Sequence, residues 1–293
     1  MNYTSQSEYL PLASVFVKKA SDAFIDENKI NAEWKALNYL GRPELSKSTE
    51  EYRNFEGILK NEGVEVKYFP MDKQLSLDAI YCRDASIATD AGMIICTMGK
   101  ELRKLEPEAQ RKTLLANNIP ILGKIEAPGT LEGGDVAWLD KETLAVGLTY
   151  RTNIEGIRQL KHLLSPLGVT VIVADLPHYR GVQDVFHLMS ILSPVDKDLA
   201  VVYSPLMPIR FRNLLLDRGY GLIEVPEQEF DSMGCNVLAL RPRKCVMVEG
   251  NLRTKEALEN AGCEVITYAG QEISVKGGGG PTCLTRPYQR IIS

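Results

Sequence analysis

The chain has 293 residues, of which 44% are hydrophobic and 25% are charged, and this balance is typical of a soluble globular protein rather than of a disordered or fibrous one. Its formal net charge of -4 leaves no excess of positive charge for binding nucleic acid or an anionic membrane surface. No apolar run approaches the ~20 residues of a membrane span, and the polar start lacks the pattern of a secretory signal, so we expect a cytoplasmic protein.

A helix-period segment followed at once by an alternating strand recurs five times along the chain. Each helix is predicted to end near a residue that tolerates a left-handed backbone, at Gly63, Asn118, Gly168, Gly219 and Gly262. Short apolar strands are predicted between these units, beginning at Gly92, Thr143, Leu199 and Lys244. The pattern indicates an α/β protein, and periodicity alone leaves open a closed ring of five diverged modules or an ordinary open sheet. Since no long Pro-, Gly- or Ser-rich linker interrupts it, we expect a single domain over residues 1–293.

Near the C-terminus, four glycines precede a cysteine in the sequence GGGGPTC, which runs from Gly277 to Cys283. Such a loop adopts unusual dihedrals and lets a substrate approach the main chain, so an exposed Cys283 is a candidate nucleophile if its thiolate is stabilised. A flexible loop with an incidental thiol is the alternative. Most of the six cysteines are expected to be reduced and buried, because they have no CxxC pair and no zinc-like spacing.

Three histidines limit the search for an acid-base partner. His162 belongs to an amphipathic helical segment and His178 follows a proline in a turn, whereas His187 alternates with apolar neighbours near the start of a strand. His187 is therefore the best candidate, although a lone histidine in such surroundings is more often a hydrogen-bonded core residue. Because the three lack HxH or DxHxD spacing, we predict no metal site and no cofactor.

Carboxylates accompany this pair at two junctions. The sequence LEGGDVAWL carries Glu132 and Asp135 around two glycines before an apolar strand, and YCRDASIAT carries Asp84 before an alternating one. Any one of them could instead cap a turn or bind a neighbouring arginine. Together with a thiol and an imidazole, buried acids indicate a cationic substrate, because an uncompensated carboxylate in a cleft is costly.

The motifs RDAS, EGGDV, FHL and GGGGPTCLTRP resemble those of the guanidine-modifying enzymes, the superfamily of arginine deiminases, amidinotransferases and dimethylargininases. The resemblance extends from about Asp78 to Pro287 and is strongest to the dimethylargininase-like members. It implies the pentein fold, a five-bladed α/β propeller of pseudosymmetric ββαβ modules, and so favours the closed ring.

By this resemblance, Cys283 attacks the guanidinium carbon and His187 protonates the departing amine, then activates water to hydrolyse a covalent S-alkylthiouronium intermediate. Asp84 and Glu132 match the acidic positions that hold the guanidinium nitrogens and orient the histidine. The resemblance also implies further substrate-binding residues: Arg103 and Arg151 for an α-carboxylate, and Asn236 near the site.

One position departs from the family. Arginine deiminases and amidinotransferases have an acidic residue two positions after the histidine, and dimethylargininases usually have a basic one, whereas this chain has Met189 there. Met189 cannot accept hydrogen bonds from an unsubstituted guanidinium, which favours an N-substituted arginine. The segment 23–48 is predicted to cover the substrate.

The resulting hypothesis is a hydrolase that converts an N-substituted arginine to citrulline and an amine. The alternatives are an arginine deiminase or other guanidino hydrolase, an amidinotransferase that passes the amidino group to an amine, a non-catalytic binding protein of the same fold, and a metal-dependent ureohydrolase. The expected partner is a small guanidino compound, and homo-oligomerisation is left open by the sequence.

Overall fold

The computed structural model describes residues 2–292 and contains sixteen strands and eight α-helices over that range. The strands are β1 Tyr3–Thr4, β2 Leu12–Val17, β3 Glu65–Tyr68, β4 Ser86–Thr89, β5 Gly92–Ile95, β6 Ile121–Lys124, β7 Val136–Asp140, β8 Thr143–Leu148, β9 Thr170–Asp175, β10 Leu192–Asp196, β11 Leu199–Val202, β12 Gly221–Glu224, β13 Leu238–Arg241, β14 Lys244–Val248, β15 Glu264–Tyr268 and β16 Thr285–Ile291. The helices are α1 Ala20–Phe24, α2 Glu27–Glu33, α3 Leu45–Asn61, α4 Glu106–Ala116, α5 Ile154–Leu164, α6 Ile209–Asp217, α7 Glu227–Phe230 and α8 Leu252–Asn260.

These strands form five small sheets that repeat one topology. In the sheets β4-β5-β6, β7-β8-β9, β10-β11-β12 and β13-β14-β15, the first two strands pair antiparallel and the third pairs parallel to the second after a helical crossover. A two-stranded hairpin needs only a tight turn, whereas the parallel pair needs the helix between its strands. The chain therefore has the predicted five-bladed α/β propeller of pseudosymmetric ββαβ modules, and the open sheet is excluded.

The remaining module joins the two ends of the described chain. Strand β16 pairs antiparallel with β2, with Thr285 opposite Val17, and β2 pairs parallel with β3 after helices α1 to α3. Strand β1 extends the same sheet by pairing with the outer side of β16. The first blade thus takes one strand from the far end of the sequence, which closes the ring.

The predicted helix ends are confirmed by the backbone. The residues after α3, α4, α5, α6 and α8 adopt positive φ, with values of 78° at Gly63, 58° at Asn118, 71° at Gly168, 82° at Gly219 and 84° at Gly262. Glycine lacks the Cβ that disfavours this conformation, and asparagine tolerates it better than most residues. Each helix is thereby turned sharply into the strand that follows it.

The predicted apolar strands are the middle strands of their sheets. Strands β5, β11 and β14 are buried along their whole length, and β8 is buried except at Leu148. Continuous burial is expected for strands covered on both faces, and it explains why they are apolar at every position rather than at alternate ones. Over residues 2–292, no helix has the length and apolar character needed to cross a membrane.

Candidate active site

Five of the eight predicted site residues occupy equivalent places in the five modules. Each lies in the short segment that leads into the first strand of its blade: Asp84 before β4, Glu132 before β7, His187 before β10, Asn236 before β13 and Cys283 before β16. Because the blades are arranged around a common centre, five equivalent segments converge there. The repeat therefore explains how residues separated by up to 199 positions in sequence come together.

Most of these residues line one pocket with a volume of about 1140 Å³, which is partly open to solvent. Its wall includes seven of the eight predicted site residues: Asp84, Arg103, Arg151, His187, Met189, Asn236 and Cys283. Glu132 is fully buried and lies behind the imidazole instead of on the wall. The structure thus brings the thiol, the imidazole and the acids together.

Glu132 is the group that orients His187. Its Oε2 lies 2.8 Å from Nε2 of His187, and its Oε1 accepts hydrogen bonds from the backbone N–H groups of Gly99 and Lys100 at 3.0 and 3.1 Å. Both carboxylate oxygens are therefore fixed. The imidazole presents its other nitrogen, Nδ1, toward Asp84, whose Oδ1 lies 4.0 Å away.

The surrounding carboxylates keep the imidazole protonated. Burial by itself lowers the pKa of His187, but Asp135, Asp84 and Glu132 together raise it to about 9. Burial raises the pKa of Glu132, yet its contact with His187 outweighs this and holds that pKa well below the usual range. At neutral pH the pair is therefore an imidazolium and a carboxylate, which suits His187 to act first as a general acid.

Asp135 helps to position His187 by binding the backbone of the next residue, Leu188. Its Oδ1 accepts a hydrogen bond from the N–H of Leu188 at 3.0 Å, and its Oδ2 accepts one from the hydroxyl of Thr149 at 2.7 Å. Burial raises the pKa of Asp135 to about 6. The motif EGGDV contains Asp135, but the sequence alone assigned it no role. In the structure, Asp135 fixes Leu188, the residue that follows His187.

Cys283 is less exposed than the sequence predicted, with 9% of its surface accessible. Asn236 donates from Nδ2 to the Cys283 sulfur at 3.4 Å, while Asn236 Oδ1 accepts hydrogen bonds from the backbone N–H and hydroxyl of Thr282 at 3.0 and 2.8 Å. One amide therefore fixes both the thiol and the residue before it. The prediction that Cys283 is exposed was wrong, because the loop packs tightly.

The glycines of this loop allow that packing. A Cβ on Gly279 would lie 2.5 Å from the ring of Tyr81, and one on Gly280 would lie 2.6 Å from Oδ1 of Asn236. Neither distance is compatible with a side chain. The glycine run thus allows the backbone of the Cys283 loop to pack against two side chains, and Gly278 adds a left-handed φ of 76°.

The Cys283 thiol is held in its neutral form. Burial raises its pKa to about 11, and the nearby charge of Asp84 adds to this, while hydrogen bonds from Thr282 and Asn236 and the charge of Arg83 act in the opposite direction. A cation bound beside the sulfur would favour the thiolate. The geometry therefore suits a nucleophile that ionises when a cationic substrate arrives.

Arg103 is buried and its three guanidinium nitrogens all donate to protein acceptors. Nη1 donates to Asp84 Oδ2 at 2.6 Å. Nε and Nη2 donate to the two carboxylate oxygens of Glu106 at 2.8 Å each, and Nη2 also donates to the carbonyl of Tyr81 at 2.9 Å. The role predicted for Arg103, binding of a substrate carboxylate, stays a prediction, and these contacts give it a structural task. That task is to hold Asp84, whose Oδ1 has no hydrogen-bond partner within residues 2–292.

Arg151 differs from Arg103 in this respect. Its Nη1 lies 3.5 Å from Glu132 Oε1, and within residues 2–292 its guanidinium makes no hydrogen bond. It is nevertheless buried and lines the pocket. Of the two arginines, Arg151 is the one whose donors are available to a ligand.

Two parts of the pocket wall were assigned only partly or not at all from sequence. Of the predicted covering segment 23–48, residues 37, 38 and 40 line the pocket, and the segment also contains the end of α1, all of α2 and the start of α3. The wall also includes residues 179–180 and 183–187. Asn38 donates a hydrogen bond to the carbonyl of Gln183 in this second stretch.

Lys100, also on the wall, contacts Asp78 at 2.7 Å and the carbonyl of Leu37 at 2.9 Å. No motif identified these residues, because their role depends on tertiary contacts.

Met189 is buried in the short turn after His187, and it lines the pocket together with Phe186 and Val185.

Among the described residues, one group has its possible metal-binding atoms within 4.8 Å of one another. It consists of Asp84, Glu132 and His187. Glu132 Oε2 contacts His187 Nε2 at 2.8 Å and Asp84 Oδ2 accepts a hydrogen bond from Arg103, whereas Asp84 Oδ1 has no hydrogen-bond partner among residues 2–292.

Comparison with known proteins gives a consistent family. The family model described as N,N dimethylarginine dimethylhydrolase, eukaryotic, matches residues 22–290. The N(G),N(G)-dimethylarginine dimethylaminohydrolase of Pseudomonas aeruginosa is 27% identical over 248 residues, covering 85% of this chain and 91% of that protein. The arginine deiminase of Mycoplasma capricolum is 26% identical, covering 93% of this chain and 77% of its own length.

A solved structure from Pseudomonas aeruginosa, a dimethylarginine dimethylaminohydrolase variant complexed with citrulline, superposes with a TM-score of 0.77. The alignment covers 95% of this chain and 99% of that one at 23% identity. At this identity the match establishes a shared fold.

Proposed function

Because the chain belongs to the N,N dimethylarginine dimethylhydrolase family and so to the guanidino-group-modifying hydrolases, we propose that it hydrolyses an N-substituted arginine to citrulline and an amine. The observation that carries this proposal is the pocket shared by Cys283, His187, Asp84 and Arg151. A thiol, an imidazolium, a carboxylate and a guanidinium with available donors together match a substrate with a cationic head and an anionic tail.

Substrate binding rests on the two ends of the molecule. The guanidinium of the substrate pairs with Asp84, whose Oδ1 is a buried acceptor with no partner among residues 2–292. The α-carboxylate pairs with Arg151, since a guanidinium fork matches a carboxylate. A buried carboxylate with an unused oxygen is costly, and the cation offsets that cost.

The first chemical step forms a carbon-sulfur bond. As the cation binds beside Cys283, it lowers the pKa of the thiol, which releases its proton to solvent, and the thiolate attacks the guanidinium carbon. His187, protonated at rest, gives a proton to the departing nitrogen, which leaves as a neutral amine. The products of this step are an S-alkylthiouronium on Cys283 and a neutral imidazole.

The second step consumes water. Neutral His187 takes a proton from a water molecule, and the resulting hydroxide adds to the thiouronium carbon. Collapse of that adduct breaks the carbon-sulfur bond, the hydroxyl proton passes to the departing sulfur to restore the thiol, and a ureido group remains, as in citrulline. Glu132 favours the imidazolium throughout, which supports its formation in this step and its function as an acid in the next cycle.

The choice of an N-substituted arginine rests on Met189. Its apolar side chain, with Val185 and Phe186 nearby on the wall, offers surface to an alkyl group and no acceptor to an unsubstituted nitrogen. An arginine deiminase reaction, which releases ammonia, and amidino transfer to an amine are the alternatives.

Product analysis by mass spectrometry separates these reactions. The purified protein is incubated with asymmetric dimethylarginine, arginine or agmatine, each with and without glycine. Citrulline and dimethylamine from dimethylarginine, with no need for glycine, support the proposal. A product that forms only when glycine is added contradicts it, and a preference for arginine over dimethylarginine assigns the deiminase reaction.

A further inference from the structure

A second cavity, of about 570 Å³ and partly open to solvent, lies between helix α4 and the segment that follows β3. Within residues 2–292 it shares no wall residue with the active-site pocket. One side is apolar and is formed by Phe69, Pro70, Met71, Leu75 and Ala79. The remaining wall residues are mostly polar, and they include Lys18.

Lys18 is an unusual residue for such a wall, since only 1% of its surface is exposed. Its ammonium donates to the carbonyl of Pro70, and no carboxylate among residues 2–292 lies within 4.0 Å of it. Burial lowers the pKa of Lys18, and the more distant Asp22, Asp72 and Glu106 act against this. A buried ammonium with one acceptor and no close counter-ion is costly unless an anion pairs with it.

The other polar groups of this wall are already engaged. Both oxygens of Glu106 bind Arg103 at 2.8 Å, and Gln110 bonds to the hydroxyl of Ser86 and the carbonyl of Cys82 at 2.7 Å each. Lys112 is exposed at the rim and adds positive charge. Asp72, which is half-buried, accepts a hydrogen bond from the backbone of Gln74 at 2.9 Å. Lys18 is thus the buried cation here without a close anion.

We propose that this cavity binds a small monocarboxylate, with its carboxylate on Lys18 and its short aliphatic chain on the apolar wall, and that its occupancy is transmitted to the active site through Glu106. The apolar side offers burial to a few methylene groups, and the single buried cation matches a single negative charge.

Transmission follows from the position of Glu106. It forms part of the cavity wall, and it holds Arg103, which in turn holds Asp84 in the active site. Burial already raises the pKa of Glu106 to about 7, although Arg103 lowers it. A further negative charge nearby raises that pKa again, which weakens the contact with Arg103 and loosens Asp84. We therefore expect a ligand in this cavity to lower kcat.

Binding is measured by isothermal titration calorimetry with sodium butyrate on the Cys283→Ser protein, so that this arm needs no activity. Lys18→Met keeps the shape of the side chain and removes the charge, and Arg151→Met is the matched control in the active site. We expect Lys18→Met to weaken butyrate binding by at least about tenfold and Arg151→Met to leave it unchanged. The opposite pattern, or no saturable binding, overturns the proposal.

The kinetic arm rests on the proposed function and is run only with a substrate that the wild-type protein turns over. At saturating substrate, butyrate should lower kcat of the wild-type protein relative to equal sodium chloride, and Lys18→Met should abolish this effect. A rise in KM with unchanged kcat, present equally in Lys18→Met, means that butyrate competes in the active site and overturns the transmission.

Removal of a buried charge should not impair folding, so Lys18→Met is expected to melt no lower than the wild-type protein. Thr113→Trp supplies a second variant, because it obstructs the cavity from α4 without altering Lys18. It should weaken butyrate binding as Lys18→Met does, and unchanged binding in both variants overturns the site.

Discussion

Arg103 donates from Nη1 to Oδ2 of Asp84 at 2.6 Å while its Nε and Nη2 hold Glu106. The contact fixes one oxygen of Asp84 and leaves the other, Oδ1, 4.0 Å from Nδ1 of His187 and without a hydrogen-bond partner among residues 2–292. An arginine that is fully engaged by the protein is a positioning residue, and its loss should affect the fold as much as the reaction.

Arg103→Met should therefore lower the free energy of unfolding by about 3–5 kcal/mol, because it leaves two buried carboxylates without their cation. Chemical denaturation at neutral pH measures the change. Arg151→Met is the matched control, since Arg151 makes one 3.5 Å ion pair, and a loss of about 1 kcal/mol or less is expected there. Equal losses in the two variants would contradict the distinction between them.

Arg151→Met should raise KM for dimethylarginine by about 10–100-fold, which corresponds to the loss of one charge-assisted contact. The effect should be confined to substrates that carry an α-carboxylate. Turnover of agmatine-like compounds at subsaturating concentration is the internal control, and an equal loss for both kinds of substrate would remove the assigned role.

Cys283→Ser should reduce turnover by about 10⁴-fold or more, because a serine hydroxyl beside Asn236 lacks the nucleophilicity of a thiolate. The change removes little volume, so the melting temperature should stay within a few degrees of the wild-type value. Intact-protein mass spectrometry during turnover should detect an adduct on the wild-type protein and none on the variant. An adduct on another residue would identify a different nucleophile.

The pH dependence should report His187. Because its pKa is raised to about 9, the acid form is present at neutral pH, and kcat/KM should fall as the pH rises through about 9. Glu132→Gln removes the carboxylate that contacts Nε2, so the pKa of His187 falls and this limb should move to lower pH. A limb that stays in place or moves upward in the variant would assign it to another group.

The raised pKa of His187 also affects the pH dependence of folding stability. The raised pKa of His187 stabilises the native state fully below its unfolded pKa of about 6.5, and this contribution is lost as the pH rises toward 9. Stability measured from pH 6.5 to 9 should therefore decline more steeply in the wild-type protein than in Glu132→Gln.

Met189→Asp tests the basis of substrate preference. An acceptor at this position should improve kcat/KM for arginine relative to dimethylarginine by about tenfold, the size of one added contact to a charged group. The ratio measured by competition is independent of enzyme concentration. Met189→Leu keeps an apolar wall and should leave the ratio nearly unchanged; a shift of equal size in both variants would exclude the assigned cause.

Several features could be predicted from sequence because they depend on local chemistry. Helix ends at Gly63 or Asn118 follow from backbone strain, and the continuously apolar strands follow from burial on both faces. The positions of His187 and Cys283 in one pocket needed the fold, which the short motifs indicated by resemblance. Their catalytic roles stay predictions.

Other features depend on contacts that no local pattern encodes. Arg103 lies in the charged stretch KELRKLE, where a surface position is expected. Its side chain is nevertheless buried, because it forms ion pairs with the buried carboxylates of Asp84 and Glu106. Cys283 was predicted to be exposed, and the close approach of Tyr81 and Asn236 to the glycine loop buries it. Asp84, Tyr81 and Asn236 are distant in sequence from the residues whose positions they set.

Ring closure by β16 has a consequence for biosynthesis. While the ribosome is still adding residues 283–291, the earlier blades are available to fold, but the first blade lacks one of its strands and the pocket lacks its sulfur. Such a nascent chain can contain the acids and the imidazole, yet it lacks the thiol that we propose as the nucleophile. The proposed active site is therefore completed late, when β16 docks beside β2.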